Sequence, residues 1–210
     1  MALIHRATLT PSKLELLTAW LPGRPWSGGG HVVEQGLEQL GAYRFDDPAG
    51  EVGIEALLLR AADGRVLHVP VTYRGEPLEG AEEFLVGTTD HSVLGTRWVY
   101  DGCGDPVWVS ALATAVLGGS TGSEELVEVD GQLEPRRPTA SVVGSGSGDT
   151  PVGRIDRLSS HDDGPTTVVR AGALEIVLVR VVGAEVDAGQ TLTGRWDGGG
   201  PAFLAEVRAT

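Results

Sequence analysis

The chain has 210 residues, of which 41% are hydrophobic, and its formal net charge is −13. Excess acidic side chains repel phosphate groups, so we expect neither nucleic acid nor an anionic membrane as a partner. Cys103 is the single cysteine, and the sequence has neither a signal-peptide core nor an apolar run of membrane length. We therefore expect a cytoplasmic protein without an internal disulfide.

The first predicted elements are a short strand within Ala2 to Leu9 and a helix that follows it. Thr10 offers a hydroxyl as N-cap, and Pro11 suits the first helical position. The helix ends before Pro22-Gly23, where proline and glycine disfavour its continuation. Its apolar stripe consists of Leu14, Leu17 and Leu21.

Trp26 is the only large side chain in a predicted loop from Pro25 to Gly30. Consecutive glycines at the end of this loop leave its backbone loose, and its small neighbours provide nothing for the indole to pack against. We therefore predict that Trp26 is an exposed contact residue.

A β-hairpin is predicted between Glu51 and Tyr73. Its two strands meet at Asp63-Gly64, a dipeptide that tolerates the positive φ of a tight turn. Pro70 cannot donate a ladder hydrogen bond, which places the second strand at a sheet edge or at a bulge. Two further strands are predicted at Phe84 to Thr88 and at Arg97 to Asp101.

A second helix is predicted from Asp105-Pro106, a cap followed by proline, to Gly118-Gly119. Its apolar face consists of Val109, Leu112 and Val116. The order of helix, antiparallel strands and helix predicts an α+β domain over residues 1–118, with a curved antiparallel sheet and helices on one face.

The remainder, residues 123–210, is predicted to be a smaller and mostly antiparallel β domain after a Gly/Ser-rich linker. A long polar loop from Ser145 to Pro165, expected to be mobile, interrupts it. The predicted strands are Leu126 to Val129, Thr139 to Val143, Thr166 to Arg170, Ala173 to Val182, Thr191 to Trp196 and Ala202 to Arg208.

Three short motifs in this half match the letters of known sites without their structural context. Gly118 to Gly122 has the G-x-S-x-G pattern of a nucleophile elbow, but a helix rather than a strand precedes it. Gly144 to Gly148 is glycine-rich, but neither a lysine nor a helix follows, so a flexible hairpin loop is favoured over a phosphate site. His161-Asp162-Asp163 offers metal ligands, but consecutive residues rarely converge on one ion. We predict no metal, no cofactor and no catalytic residue.

The candidate contact residues lie on the predicted strands of the first domain. Tyr73, Trp98 and Tyr100 can line a concave sheet face that suits sugar rings or an apolar patch of a partner. The alternative is ordinary core packing, which we favour for Trp98. The charged candidates, Arg74, Arg97 and Asp101, are expected to form buried or edge ion pairs.

The same region carries a long ungapped set of motifs that resembles the N-terminal cap domain of actinobacterial maltokinases. The resemblance covers about the first half of the chain, Met1 to Leu117, and implies a cystatin-like cap. The matching segments are Val69-Pro70-Val71, Tyr73-Arg74, Pro77-Leu78, Gly80, Leu85-Val86-Gly87-Thr88, His91-Ser92, Leu94-Gly95, Arg97-Trp98-Val99-Tyr100-Asp101 and Asp105-Pro106.

Departures from the family pattern argue against kinase activity. Family members that carry the kinase body usually have an aromatic residue and a lysine shortly after the tryptophan that corresponds to Trp26. Both are missing here, and the chain's only lysine is Lys13. The second half shows no counterpart of the catalytic His-Gly-Asp segment or the metal-binding Asp of the kinase body.

The resemblance therefore implies a non-catalytic binding or regulatory protein. Its partner would be a sugar kinase or a glucan enzyme of maltose, trehalose or α-glucan metabolism. The alternative is a protein or enzyme that binds a sugar or sugar phosphate in the cap sheet or between the domains.

Overall fold

A computed structural model describes residues 2–4, 7–30, 33, 36–129, 132–148, 152–153, 155–187 and 189–209. It has α+β architecture, with helices α1 (Lys13–Trp20) and α2 (Pro106–Leu117) and mostly antiparallel sheets. None of the described helices is long and apolar enough to cross a membrane. The strands are β1 (Ala2–Ile4), β2 (Leu9–Thr10), β3 (Glu38–Phe45), β4 (Gly53–Arg60), β5 (Val66–Arg74), β6 (Leu85–His91), β7 (Gly95–Asp101), β8 (Glu125–Val129), β9 (Gln132–Arg136), β10 (Ala140–Gly144), β11 (Ser159–Asp163), β12 (Thr166–Ala171), β13 (Leu174–Val179), β14 (Gln190–Trp196) and β15 (Gly199–Ala209).

The first six-stranded sheet, here called the cap sheet, has the order β2-β6-β7-β5-β4-β3. The hairpin predicted between Glu51 and Tyr73 is confirmed, because β4 and β5 pair along their length. Gly64 turns the chain with a φ of 87°. β6 and β7 confirm the other two strands predicted in this half.

Helix α1 begins two residues later than its sequence predicts. Thr10, the predicted N-cap, pairs with Asp90 as part of β2. Ser12 caps the helix instead: its Oγ accepts from the Glu15 amide at 3.3 Å, and the Glu15 carboxylate accepts from the Ser12 amide at 2.7 Å. This reciprocal capping box satisfies two amides that would otherwise lack partners.

The predicted edge position of the Pro70 strand is wrong, since β5 lies between β4 and β7. The β7 ladder begins only at Val71, and an isolated bridge joins Leu67 to Val181 of the second half. Pro70 falls in the gap between these two pairings. A residue without an N–H is tolerated there, because no ladder bond is lost.

The cap sheet is buried on both faces. Its strand β4 is buried from Ile54 to Leu59, and its alternate apolar residues serve two separate cores. Leu57 and Leu59 pack with α1 and with Trp26. Ile54 and Leu58 pack on the opposite face, with α2 and the second six-stranded sheet. The prediction that both helices lie on one face of this sheet is therefore wrong.

The second sheet has the order β10-β14-β15-β13-β12-β11 and is antiparallel throughout. It confirms an antiparallel β-rich second half. Part of the predicted loop from Ser145 to Pro165 is the edge strand β11, so its description as an irregular loop is wrong there. The predicted division into residues 1–118 and 123–210 stays a prediction, and residues of both parts share one core.

The segment Gly144 to Gly148, predicted as a flexible hairpin loop, covers the C-terminus of α2. Gly146 N donates to Val116 O and Gly148 N to Leu117 O, both at 2.9 Å. These bonds satisfy carbonyls that a helix end leaves without partners. The approach is so close that a Cβ on Gly146 would collide with the Leu117 carbonyl. The amides are therefore committed to the helix, which argues further against a phosphate loop.

Candidate functional site

A cavity of about 570 Å³, here called the cap cleft, lies beside Tyr73 on the cap sheet. The first residues of α1, the turn between β3 and β4, and the turn between β6 and β7 form its walls. Its volume is within the range of small-molecule sites. Its polar and aromatic lining includes Lys13, Arg44, Asp46, Asp47, Glu51, Tyr73, His91 and Arg97.

A buried carboxylate, Glu55, organises the base of the cap cleft. It accepts hydrogen bonds from Lys13 Nζ at 2.6 Å, from Arg44 Nη2 at 2.8 Å and from the Tyr73 hydroxyl at 2.8 Å. Burial alone would raise the pKa of Glu55, but the charges of Arg44 and Lys13 outweigh burial and lower it to about 2. Glu55 is therefore ionised at neutral pH.

Hydrogen bonds to Glu55 hold the side chains of Lys13 and Tyr73 in place. The only lysine of the chain is held by Glu55, and its ammonium lies 5.6 Å from the centre of the Tyr73 ring. Burial and the neighbouring Glu55 charge raise the pKa of Tyr73, so its hydroxyl stays protonated and donates. Sequence patterns did not indicate the role of Glu55, because its partners come from three separate elements.

Arg97 lines the same cleft with part of its hydrogen-bonding capacity unused. Its Nη2 donates to Leu94 O at 2.6 Å, but its buried Nε has no acceptor. No ion pair of Arg97 occurs within the described part of the chain. The ion pair predicted for this residue is therefore not found there.

His91 holds the turn between β6 and β7. Its Nδ1 accepts from Val93 N at 3.2 Å and from Leu94 N at 3.1 Å. This places Leu94 at the rim of the cap cleft and aligns its carbonyl with Arg97. His91 is thus a structural hydrogen-bond partner in this turn.

Arg74 forms the expected ion pair, with Asp105 as its partner. Its Nε and Nη2 each lie 2.7 Å from a different Asp105 oxygen, a bidentate geometry. Asp105 is fully buried, also accepts from the Thr72 hydroxyl, and caps α2 through the Val107 amide. Arg74 therefore ties β5 to the start of α2 and is not among the residues lining the cap cleft.

Trp26 is buried, so its prediction as an exposed contact is wrong. Only 2% of it is exposed, and it packs edge-on against Trp20 at a centroid distance of 6.0 Å. The Arg180 guanidinium lies over its other side, 4.6 Å from the ring centre. Arg180 also contacts Asp101 at 2.5 Å, which confirms the predicted buried ion pair of Asp101.

The three predicted aromatic residues do not line a common face. In the antiparallel pairing, Tyr73 lies opposite Val99, whereas Tyr100 lies opposite Thr72. Opposite residues share a face and successive ones alternate, so Tyr73 points away from the face of Tyr100 and Trp98. Tyr100 is buried, with its hydroxyl accepting from Leu78 N at 2.9 Å. Trp98 is half-buried and lies outside both cores, so the core packing favoured for it is wrong.

A second cavity of about 590 Å³, here called the junction cavity, lies between the β3–β4 turn, α2 and the segment after α2. Ser120 of the G-x-S-x-G motif lines it, but none of the lining residues is a histidine that could serve as its base. Phe45, Asp46 and Asp47 line both cavities, so the β3–β4 turn separates them.

The remaining chemical candidates hold no site. His161-Asp162-Asp163 forms β11, and Asp162 accepts from the Thr167 hydroxyl at 2.6 Å. The part of the chain that the structure describes contains no cluster of three His, Cys, Asp or Glu side chains suited to a metal ion. Cys103 is fully buried, and burial raises the pKa of its thiol, which disfavours the reactive thiolate.

Comparison with known proteins finds a similarity within the segment that forms most of the cap sheet. A search among curated proteins finds no match to the chain. The family model of the maltokinase N-terminal cap domain matches residues 20–105, from the last residue of α1 to the N-cap of α2. The matched range includes Tyr73, Arg74, Arg97 and Asp101, whose contacts are described above. Residues 20–105 therefore carry the sequence signature of the maltokinase N-terminal cap domain family.

Proposed function

We propose that the protein is a non-catalytic binding or regulatory protein acting with an enzyme of maltose, trehalose or α-glucan metabolism. The observation that carries this proposal is the engagement of Lys13, the only lysine, with the buried Glu55. A protein kinase uses a strand lysine to hold the ATP phosphates, whereas Lys13 lies on α1. The cap family match supports the metabolic context, and α1 on an antiparallel sheet supports a cystatin-like cap.

The surface that best suits a protein partner is the β6–β7 hairpin and its neighbouring aromatic residue. Val93 and Leu94 at the hairpin tip are 58% and 45% exposed. Trp98 on β7 is half-buried, so part of its ring stays accessible. Aromatic and aliphatic side chains of this kind supply much of the binding energy at interfaces.

Binding of the full chain to purified sugar kinases and glucan enzymes from the same organism tests this proposal. We expect measurable association by biolayer interferometry with at least one of them, weakened at least tenfold by Trp98→Ala. Phe203→Ala, which removes an aromatic side chain 51% exposed on the second sheet, is the matched control. Failure to associate with any of these enzymes across several salt concentrations would contradict the proposal.

A second candidate function is binding, or conversion, of a sugar or sugar phosphate in the cap cleft. The cleft volume of about 570 Å³ and its mixture of Tyr73 with charged donors and acceptors favour it. Thermal-shift measurements with maltose, maltose 1-phosphate, trehalose and ATP test it. We expect at least one of the sugars to raise the melting temperature, whereas no stabilisation at millimolar concentration would exclude this candidate.

A further inference from the structure

We propose that the cap cleft binds its ligand through an anionic group, a phosphate or a carboxylate, that Arg97 holds. The proposal rests on the second candidate function, binding of a small molecule in this cleft. Arg97 lines the cleft together with Lys13 and Tyr73. The charge of Arg97 therefore restricts the ligand in addition to the volume of the cleft.

The evidence begins with the unused donor of Arg97. Its Nε is buried and has no hydrogen-bond acceptor, although a buried N–H is almost always paired. The protein carries 29 acidic against 16 basic residues, so an arginine has many carboxylates from which to draw a partner. The half-buried Arg97 guanidinium has no carboxylate partner in the described structure, and it borders a cavity. It is therefore suited to an external anion.

The sheet geometry directs Arg97 and Tyr73 to the same side. Val99 lies opposite Tyr73 in the β5–β7 ladder, and Arg97 is two residues before Val99. Side chains at i and i+2 share a face, so Arg97 points to the face of Tyr73. Lys13 lies 5.6 Å from the Tyr73 ring centre on that face. The ligand would therefore meet the Arg97 guanidinium and the Tyr73 ring on the same face of the sheet.

Arg97 differs from the other two cations that line the cleft, because it has no carboxylate partner in the described structure. Glu55 accepts from both Lys13 and Arg44, and the buried Glu125 lies 3.9 Å from Arg44 Nε. The acidic lining residues Asp46, Asp47 and Glu51 lie in the turn between β3 and β4. Asp47 is further occupied by the amides of Ala49, Glu51 and Val52.

The guanidinium suits a phosphate or carboxylate, because it carries a fixed positive charge and several N–H donors in one plane. The contact with Leu94 O occupies Nη2 and fixes the orientation of the group. A neutral hydroxyl would gain less from this arrangement than an ionised oxygen, since hydrogen bonds between charged groups are stronger.

The test measures the arginine Nε–H signals of the full chain by NMR during titration with inorganic phosphate, maltose and maltose 1-phosphate. We expect phosphate to shift the Arg97 signal, and maltose 1-phosphate to bind at least tenfold more tightly than maltose. Arg97→Gln should abolish this preference, and Arg97→Lys should retain part of it through its charge. Arg195→Gln removes the same charge from an exposed position of β14 and should change nothing.

Circular dichroism melting of each variant separates loss of binding from loss of folding. Equal affinity for maltose and maltose 1-phosphate would overturn the anion proposal and leave sugar binding in the cleft intact. An unchanged phosphate affinity in folded Arg97→Gln would also overturn it. Absence of binding by every probe would overturn both the anion proposal and the second candidate function, while the partner proposal would stand on its own test.

Discussion

Arg180 illustrates how a single buried cation joins parts of this chain that are far apart in sequence. It is 1% exposed and contacts Asp101, which is 79 positions earlier. It also donates to the Thr167 hydroxyl at 2.8 Å and lies over the Trp26 ring. A buried charge is tolerated only when partners of this kind compensate for lost hydration. Trp26 and Asp101 thus stabilise the fold through their contacts with Arg180.

Replacing Arg180 with methionine is expected to destabilise the protein by about 3–5 kcal/mol, because Asp101 would be left buried without its counter-charge. Urea unfolding measures the loss. Arg170→Met is the control: Arg170 pairs with Glu175 but its side chain is 63% exposed, so the expected cost is below about 1 kcal/mol. Adding Asp101→Asn to Arg180→Met should recover part of the stability, and equal costs for the two arginines would contradict this account.

Glu55 is expected to make stability depend on pH in the acidic range. Its folded pKa of about 2 lies below its ordinary value of 4.5, because the charges of Arg44 and Lys13 outweigh the effect of burial. A depressed folded pKa stabilises the protein above 4.5, and this contribution is lost as pH falls toward 2. The contribution to the free energy of unfolding is about 3 kcal/mol.

The measurement is the free energy of unfolding between pH 5 and pH 2, for the wild type and for Glu55→Gln. The variant cannot ionise at this position and should show a shallower decline in stability with falling pH. At neutral pH it should already be less stable, because Lys13 and Arg44 lose their counter-charge. Parallel pH profiles for the two proteins would show that Glu55 contributes nothing to the acid response.

The C-terminal end of helix α2 depends on the close approach of the Gly146 backbone to the Leu117 carbonyl. Gly146→Ala should destabilise the protein by about 1–3 kcal/mol, since a Cβ would collide with the Leu117 carbonyl. Gly153→Ala is a matched control with open space around the new methyl group, and it should change stability by less than about 0.5 kcal/mol. Thermal unfolding compares the two, and equal effects would argue against a packed helix end.

Local signals in the sequence predict the elements that have their own turns and caps. Asp63-Gly64 predicts the β4–β5 hairpin, and Asp105-Pro106 predicts the start of α2. Strand β11 is missed because its residues are polar and lie at a sheet edge, where pairing with β12 needs no apolar pattern. Strand β3 is missed because Gly41 interrupts its apolar residues, at a register shift where the backbone meets Thr139.

The candidate site was predictable only in part. Tyr73 lines the cap cleft, and the alternation along β5, which can be read from the sequence, indicates which of its neighbours share its face. Its convergence with Lys13 and Glu55 depends on how α1 docks on the sheet, which no local pattern specifies. The burial of Trp26 was missed for the same reason: Arg180, which covers its ring, lies more than 150 positions later in the sequence.

For the molecule as a whole, the shared core makes the two halves depend on each other. Tyr43 and Ile54 of the cap sheet belong to one cluster with Ile176 and Leu204 of the second sheet, and α2 contributes to it. Residues 1–118 produced alone would expose this apolar surface, so we expect no cooperative unfolding and a tendency to aggregate. Calorimetry of each half and of the full chain tests this, and two independently folding halves would contradict it.

We propose that this protein binds ligands or partners without transferring phosphoryl groups. The most direct test is ³¹P NMR of the purified full chain with Mg²⁺, ATP and maltose, recorded over hours beside a sample without protein. We expect no loss of the γ-phosphate signal beyond that of the protein-free sample, because Lys13 is held by Glu55. A growing maltose 1-phosphate signal that depends on the protein would contradict it.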